Sequence, residues 1–316
     1  MEKGIVMLLL VLLTLPMRGE NHDDARHTIQ LRARAGFIAE GSDYGFKCDF
    51  LRITAQGRLG GGFHYLVRQR LNKPIKDGDF LSATDYLFLR WNKGNWELGG
   101  GKYYLACGGF EYLASAYDLY IRPEYFNGLG GMYNYAIQAT RFFGKESLCI
   151  QAGNSIYATG MSKLLGASAL LRGRQGPWEH AWSVNVFERE KGLCNLFLCL
   201  GNRFHLRDNA SLDCSLAHRM DLHDARLMKD FSAVMRLKLG VTDQLDILGK
   251  AVWDYKEEGI EDPMLPPGTN IWKAGGGIEY YPVSGSKTVR LHLVGYYSSM
   301  EKCTVMAGLA VNIDIL

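Results

Sequence analysis

From Ile29 to the last residue, apolar and polar positions alternate in bursts of roughly ten residues. The final burst sets Val305, Ala307, Leu309, Val311, Ile313 and Ile315 against Met306, Gly308, Ala310, Asn312 and Asp314. A period of two sends successive side chains to opposite faces of a strand, so one face of each burst is apolar. Sixteen strands are predicted, at 29–40, 44–57, 60–71, 82–92, 94–104, 131–142, 145–157, 163–173, 177–189, 193–205, 209–221, 229–241, 244–256, 270–283, 287–299 and 302–316. No proline lies well inside any of them, as a hydrogen-bonded ladder requires.

The connections fall into two classes. Even-to-odd joints are mostly brief, such as Asn92-Lys93-Gly94, Phe143-Gly144-Lys145 and Thr242-Asp243, whereas several odd-to-even joints run longer, at 72–81, 105–130, 222–228 and 257–269. The first loop and the fifth, around Lys191-Gly192, are short exceptions. Short turns on one rim and long loops on the other are the pattern of an outer-membrane barrel, and a soluble sandwich has no reason to segregate its loops.

Composition sharpens this picture. The chain has 316 residues, 37 glycines, 17 tyrosines and only 8 prolines, which suits a membrane barrel with aromatic girdles. Glu2-Lys3, the apolar run Ile5 to Leu15 and a cleavage region at Pro16-Met17-Arg18-Gly19 read as a secretory signal over residues 1–19. That run is shorter than the ~20 residues of a spanning helix, and no later run is long enough. An exported chain without such helices crosses a membrane only as a closed barrel, because unpaired backbone in lipid is too costly. The expectation is an all-β, antiparallel transmembrane barrel of about sixteen strands over residues 20–316, placed in the bacterial outer membrane in contact with its lipids.

The polar faces carry the chemistry. Strand parity puts Phe63/Tyr65/Val67, Trp182/Val184/Val186, Leu196/Leu198/Leu200, Ala233/Met235/Leu237/Leu239 and Val289/Leu291/Leu293 toward lipid. The opposite faces hold Arg32, Arg34, Lys47, Arg68, Arg70, Arg172, Arg203, Arg219, Arg236, Lys238, Lys250, Lys273 and Arg290, with fewer acids: Asp49, Asp213, Asp246, Asp254 and Glu279. A charge facing lipid at mid-membrane costs ~2–4 kcal/mol, so these side chains are expected to line an aqueous lumen. A low-dielectric wall of one sign concentrates the opposite ion, and Arg or Lys rings are how anion and phosphate pores select. A weakly selective channel is the alternative reading of the same charges.

The longest connection, 105–130, is too apolar and aromatic to stand free in water. It is predicted to fold into the lumen and narrow it, with Lys102, Glu111, Asp118, Arg122 and Glu124 at the constriction. The alternative is a folded cap outside the barrel.

The run Trp96-Glu-Leu-Gly-Gly-Gly-Lys102, then Gly108-Gly-Phe-Glu-Tyr112, Tyr117-Asp-Leu-Tyr120 and Gln151-Ala-Gly-Asn154-Ser155, resembles the phosphate-selective porin O and P family. That resemblance extends more loosely over all sixteen strands. It implies a homotrimeric outer-membrane porin whose third loop constricts each pore, with arginines and lysines guiding small anions by passive diffusion.

Other classes find little in the chain. No G-x-S-x-G motif occurs and none of the eight histidines has a distinctive partner pattern, so no catalytic residues are expected; His218 reads as a rim residue and His292 as a lumen residue. A formal net charge of +3 gives nucleic-acid binding no support. There is no Walker loop, no Asp-rich calcium loop and no His–Cys zinc spacing, so no cofactor or metal is expected. The seven cysteines read mainly as packed or lipid-facing thiols, with a disulfide framework the lesser reading. A structural barrel with a blocked pore is the remaining rival.

Overall fold

The computed structural model describes residues 27–74, 80–125, 132–158, 163–222, 229–257, 265–300 and 303–316. The expected signal at 1–19 and positions 126–130 of the long loop lie outside the described residues. Sixteen strands form one antiparallel sheet in which each pairs with its neighbours in sequence, and β1 (His27–Glu40) closes on β16 (Cys303–Asp314). Closure leaves no unpaired edge, the condition for placing a sheet in lipid. The remaining strands are β2 (Asp43–Gly60), β3 (Phe63–Arg70), β4 (Thr84–Lys93), β5 (Trp96–Tyr104), β6 (Tyr133–Phe143), β7 (Glu146–Asn154) and β8 (Leu165–Gln175). They continue with β9 (Trp178–Glu190), β10 (Leu193–Arg207), β11 (Ala210–Asp221), β12 (Asp230–Thr242), β13 (Leu245–Lys256), β14 (Thr269–Tyr280) and β15 (Val289–Ser298). The alternation in the sequence therefore marks every strand to within a few residues.

One rim consists of tight turns. Gly94, Gly144 and Gly176 take φ of 56°, 64° and 59° there, the left-handed backbone that lets a two-residue turn match the twist of its strands. The outward face between the rims is a belt of exposed Ile137, Ile150, Val184, Leu200, Met235 and Leu293. Aromatics flank it at both levels: Phe63, Trp96, Phe143, Phe204 and Tyr280 at the turn-side strand ends, and Tyr44, Phe46, Trp253, Trp272 and Tyr297 at the loop-side ends. In water this surface would be an aggregation liability; in a bilayer it is a lipid-facing band with an aromatic girdle at each interface.

The long connection after β5 enters the barrel. It carries a helical turn, α1 (Phe110–Leu113), and a 3-10 turn at Ala116–Asp118, and it buries Cys107, Phe110, Tyr112, Tyr117, Leu119, Ile121 and Tyr125. These meet wall positions that face inward yet are apolar. Tyr112 and Tyr125 cluster with Phe197, Cys199, Ala217 and Ile271, Ile121 with Val234, Val252 and Val294, and Tyr117 with Phe50 and Ala310. A water-filled barrel has no use for Val or Phe on its inner face, so these residues mark where the loop seats. The external cap, the alternative placement, is excluded by this packing.

Candidate permeation path

Charged and polar groups fasten the loop to the wall across the barrel from β5. Asp118 accepts from Arg290 at 3.0 Å, and Glu111 from Lys250 at 2.6 Å. Glu124 accepts from Lys273 at 2.5 Å, while its backbone N–H donates to Asp254 at 2.7 Å. Arg34 donates to the carbonyls of Tyr117 and Leu119 at 2.9 and 3.1 Å, and it holds Asp49 with its other edge. Near the stem, the Gly108 and Phe110 N–H groups donate to the hydroxyls of Ser183 and Ser215. Three of the acids expected at the constriction are thus each paired with a lumen base. Arg122 bonds the Ala116 carbonyl at 3.2 Å and has no acid partner among the described residues.

Close approach is built into the wall beneath the stem. A Cβ on Gly201 would lie 2.6 Å from the Gly109 Cα, so the wall needs a hydrogen there. Ala181, fully buried, accepts the Gly109 N–H at 3.0 Å.

Space remains on both sides of the loop. On the long-loop side lies a cavity of about 340 Å³ lined by Arg52, Arg70, Lys73, Lys102 and Arg122, with Asp85 its sole acid among the described residues. On the turn side a cavity of about 300 Å³ is lined by Arg203, Arg236, Lys238, Lys250 and Arg290, against Asp118 and Glu279. Ala114 lines both, so the two spaces approach each other across the loop at this small side chain. The described lumen thus holds basic side chains on both sides of the inserted loop.

The densest positive patch is on β1–β3. Arg32 stands opposite Arg52, and Arg52 opposite Arg70, in directly paired register. Like charges directly opposite on a sheet are destabilising. Asp85 is the counter-charge: Arg52, Arg68 and Arg70 approach it at 3.2, 3.4 and 2.6 Å. Arg68 also lies over the Tyr86 ring at 4.1 Å and donates to the Tyr133 hydroxyl at 2.8 Å. Three guanidiniums on one carboxylate leave a local positive excess in a water-poor setting.

Arg52 and Asp85 escape a parity reading because each neighbours a bulge. The β1–β2 register shifts between Arg34 and Ala35, where Asp49 is the extra residue, so Phe50 and Arg52 face inward together with Asp49. The β3–β4 register shifts between Arg68 and Gln69, where Asp85 is extra, so Asp85 and Tyr86 both face inward. The available signal was the break in alternation at Asp49-Phe50 and Asp85-Tyr86, where an extra residue locally ends the two-residue period.

The other expected residues divide by environment. Arg203 and Arg236 share Asp213, Lys238 bridges Asp246 and Glu279, and Arg290 also meets Glu279. Arg34, Arg219 and Lys273 are covered by the loop rather than open to the lumen; Arg219 is 2% exposed, ion-paired to Asp230 at 2.9 Å and close to the Tyr125 ring. Arg32 bonds Asn312 at 3.0 Å, Lys102 donates to the Leu81 carbonyl at 2.6 Å, and Lys47 stands exposed on the long-loop half of β2. Arg172 is exposed on β8 and has no ion-pair partner among the described residues. His218 lies near the loop-side end of β11, paired to Phe231, and is buried with its ring on the Arg219 carbonyl, while His292 faces inward against the Tyr120 ring.

No family model matches the chain, and no curated protein matches it significantly. Solved structures do. An anion-selective porin from Comamonas acidovorans superposes with a TM-score of 0.67 at 12% identity, covering 92% of this chain and 100% of that one. A loop L8 deletion mutant of OmpT, an outer membrane protein of Vibrio cholerae, gives 0.64 at 10% identity with the same coverage. A variant of the Rh. blastica porin gives 0.59 at 10% identity, covering 91% of this chain and 100% of that one. At these identities the likeness is one of fold. The architecture is that of the sixteen-strand bacterial porins.

Proposed function

We propose that this protein is an outer-membrane channel for passive diffusion of small solutes, with a preference for anions, phosphate among them. The observation that carries this reading is the basic surplus in both cavities flanking the loop. An anion crossing the waist leaves one group of guanidinium and ammonium donors for another, with low-dielectric walls strengthening the attraction. The planar fork of arginine suits the paired oxygens of phosphate and carboxylate. In this reading residues 1–19 are an export signal removed from the mature chain, and the resemblance of the third-loop motifs to the O and P family extends the proposal to a homotrimer.

A weakly selective channel is the second reading, and the ion pairs on Asp213, Asp246 and Glu279 favour it by neutralising much of the turn-side wall. Planar-bilayer recording in a salt gradient separates the two. The reversal potential should report anion preference, reduced when Arg68 and Arg70 are neutralised together, and phosphate should compete with chloride current. Cation preference in the unmodified channel would refute the anion reading, no conductance the channel itself, and an unselective current would support the second reading.

A further inference from the structure

Two cysteines far apart in sequence meet where the loop leaves its stem. Cys107, just past the end of β5, and Cys199, in the middle of β10, place their sulfurs 3.4 Å apart, and both are fully buried. The remaining cysteines make no such contact: Cys48 and Cys303 are exposed, and Cys149, Cys194 and Cys214 are half-buried.

The meeting is imposed by the fold. The backbone N–H groups around Cys107 are tied down: the Ala106 N–H donates to Gln151, the Gly108 N–H to Ser183 at 2.7 Å, and the Gly109 N–H to the Ala181 carbonyl. Cys199 is held by pairing to Ser183 on β9 and Ala217 on β11. A Cβ on Gly108 would lie 3.0 Å from the Cys199 carbonyl oxygen, so the stem backbone rests directly on the strand carrying the second thiol. The sulfurs stand about 1.4 Å beyond the ~2.05 Å of a disulfide bond, close enough that bonding needs only a local adjustment of the two side chains.

We propose that Cys107 and Cys199 form a disulfide that ties the constriction loop to the barrel wall. This rests on reading the chain as an exported channel, since exported chains meet an oxidising compartment. The oxidant is a protein disulfide of the dithiol–disulfide exchange class. One cysteine thiolate attacks a sulfur of the oxidant's disulfide, forming a mixed disulfide and releasing the oxidant's other sulfur as thiolate. The second cysteine thiolate then attacks the chain's own sulfur in that mixed disulfide, closing the 107–199 bond and releasing the oxidant as dithiol. Two S–H bonds are lost and one S–S bond forms, the two electrons passing to the oxidant and the two protons restoring its thiols. Burial of both sulfurs in the docked state places the exchange before the loop seats. The finished bond is then shielded from reductants.

The test is peptide mass analysis of full-length protein isolated from cell envelopes, acid-quenched and alkylated with N-ethylmaleimide in denaturant without reductant. The expected result is a linked peptide pair containing positions 107 and 199, with the other cysteines alkylated. Recovery of both as alkylated thiols, there and after refolding the reduced chain in a glutathione–glutathione disulfide buffer, overturns the proposal. The tethering role is read from open-channel noise. Reducing the unmodified channel in denaturant before refolding, or using the C107S/C199S double variant, should raise noise and brief closures several-fold, and unchanged noise in both overturns that role. A barrel without conductance would sink the channel reading and leave the mass result standing, so the two failures are distinguishable.

Discussion

Arg52 and Arg70 face each other in the register of β2 and β3, and both close on the carboxylate of Asp85. The pair is costly as a sheet contact and becomes tolerable through one buried acid it shares with Arg68. That imbalance sets the expected behaviour of the patch. Replacing Arg52 and Arg70 with alanine should lower the anion-to-cation permeability ratio, read as a smaller reversal potential in a potassium chloride gradient. Asp85→Asn should move the potential the other way, while costing about 3–5 kcal/mol of stability because buried guanidiniums lose their counter-ion.

Glu111 and Lys250 provide a cleaner view of loop anchoring, since their side chains are only 2% and 7% exposed. Removing either charge alone should destabilise the barrel by about 3–5 kcal/mol, as the partner stays buried and unpaired. The double change Glu111→Gln with Lys250→Met should cost less than the sum of the singles. Urea unfolding in detergent micelles, run as a double-mutant cycle, checks the coupling.

Ala114 lines the cavities on both sides of the loop. Ala114→Trp should therefore cut single-channel conductance several-fold and leave the unfolding midpoint nearly unchanged. An unaltered conductance would move the waist elsewhere.

Gly201 lies under the loop stem with no room for a methyl group. Gly201→Ala should push the stem off β10 and cost about 1–3 kcal/mol, the usual range for overpacking a filled site. The companion readout is channel noise, which should rise because the same contact seats the stem.

Met235 and Arg236 are neighbours on β12 that face opposite solvents, Met235 outward and Arg236 onto Asp213 inside. Met235→Arg should impair assembly into vesicles by ~2–4 kcal/mol if its level lies at the bilayer midplane. Thermal unfolding of the folded band on unboiled gels checks this, and no loss of stability would remove Met235 from the lipid face.

The strands and their two faces were legible in the sequence because a barrel wall imposes a period of two along its whole length, as β16 shows from Val305 to Ile313. The long connection was legible as an inward loop because Phe110, Tyr112, Tyr117 and Tyr125 need an apolar seat. Tertiary structure alone decided where that seat is, since Val234, Val252 and Phe197 become its floor only once the sheet has closed. It also decided which bases stay open to the lumen. Periodicity assigns a face but says nothing of a partner 172 positions away, as Asp118 is for Arg290. Two bulges, each adding a residue and resetting parity, brought Arg52 and Asp85 into the lumen. Alternation is a property of neighbours along the chain, whereas charge pairing, loop seating and the contact of Cys107 with Cys199 belong to residues that only the closed barrel brings together.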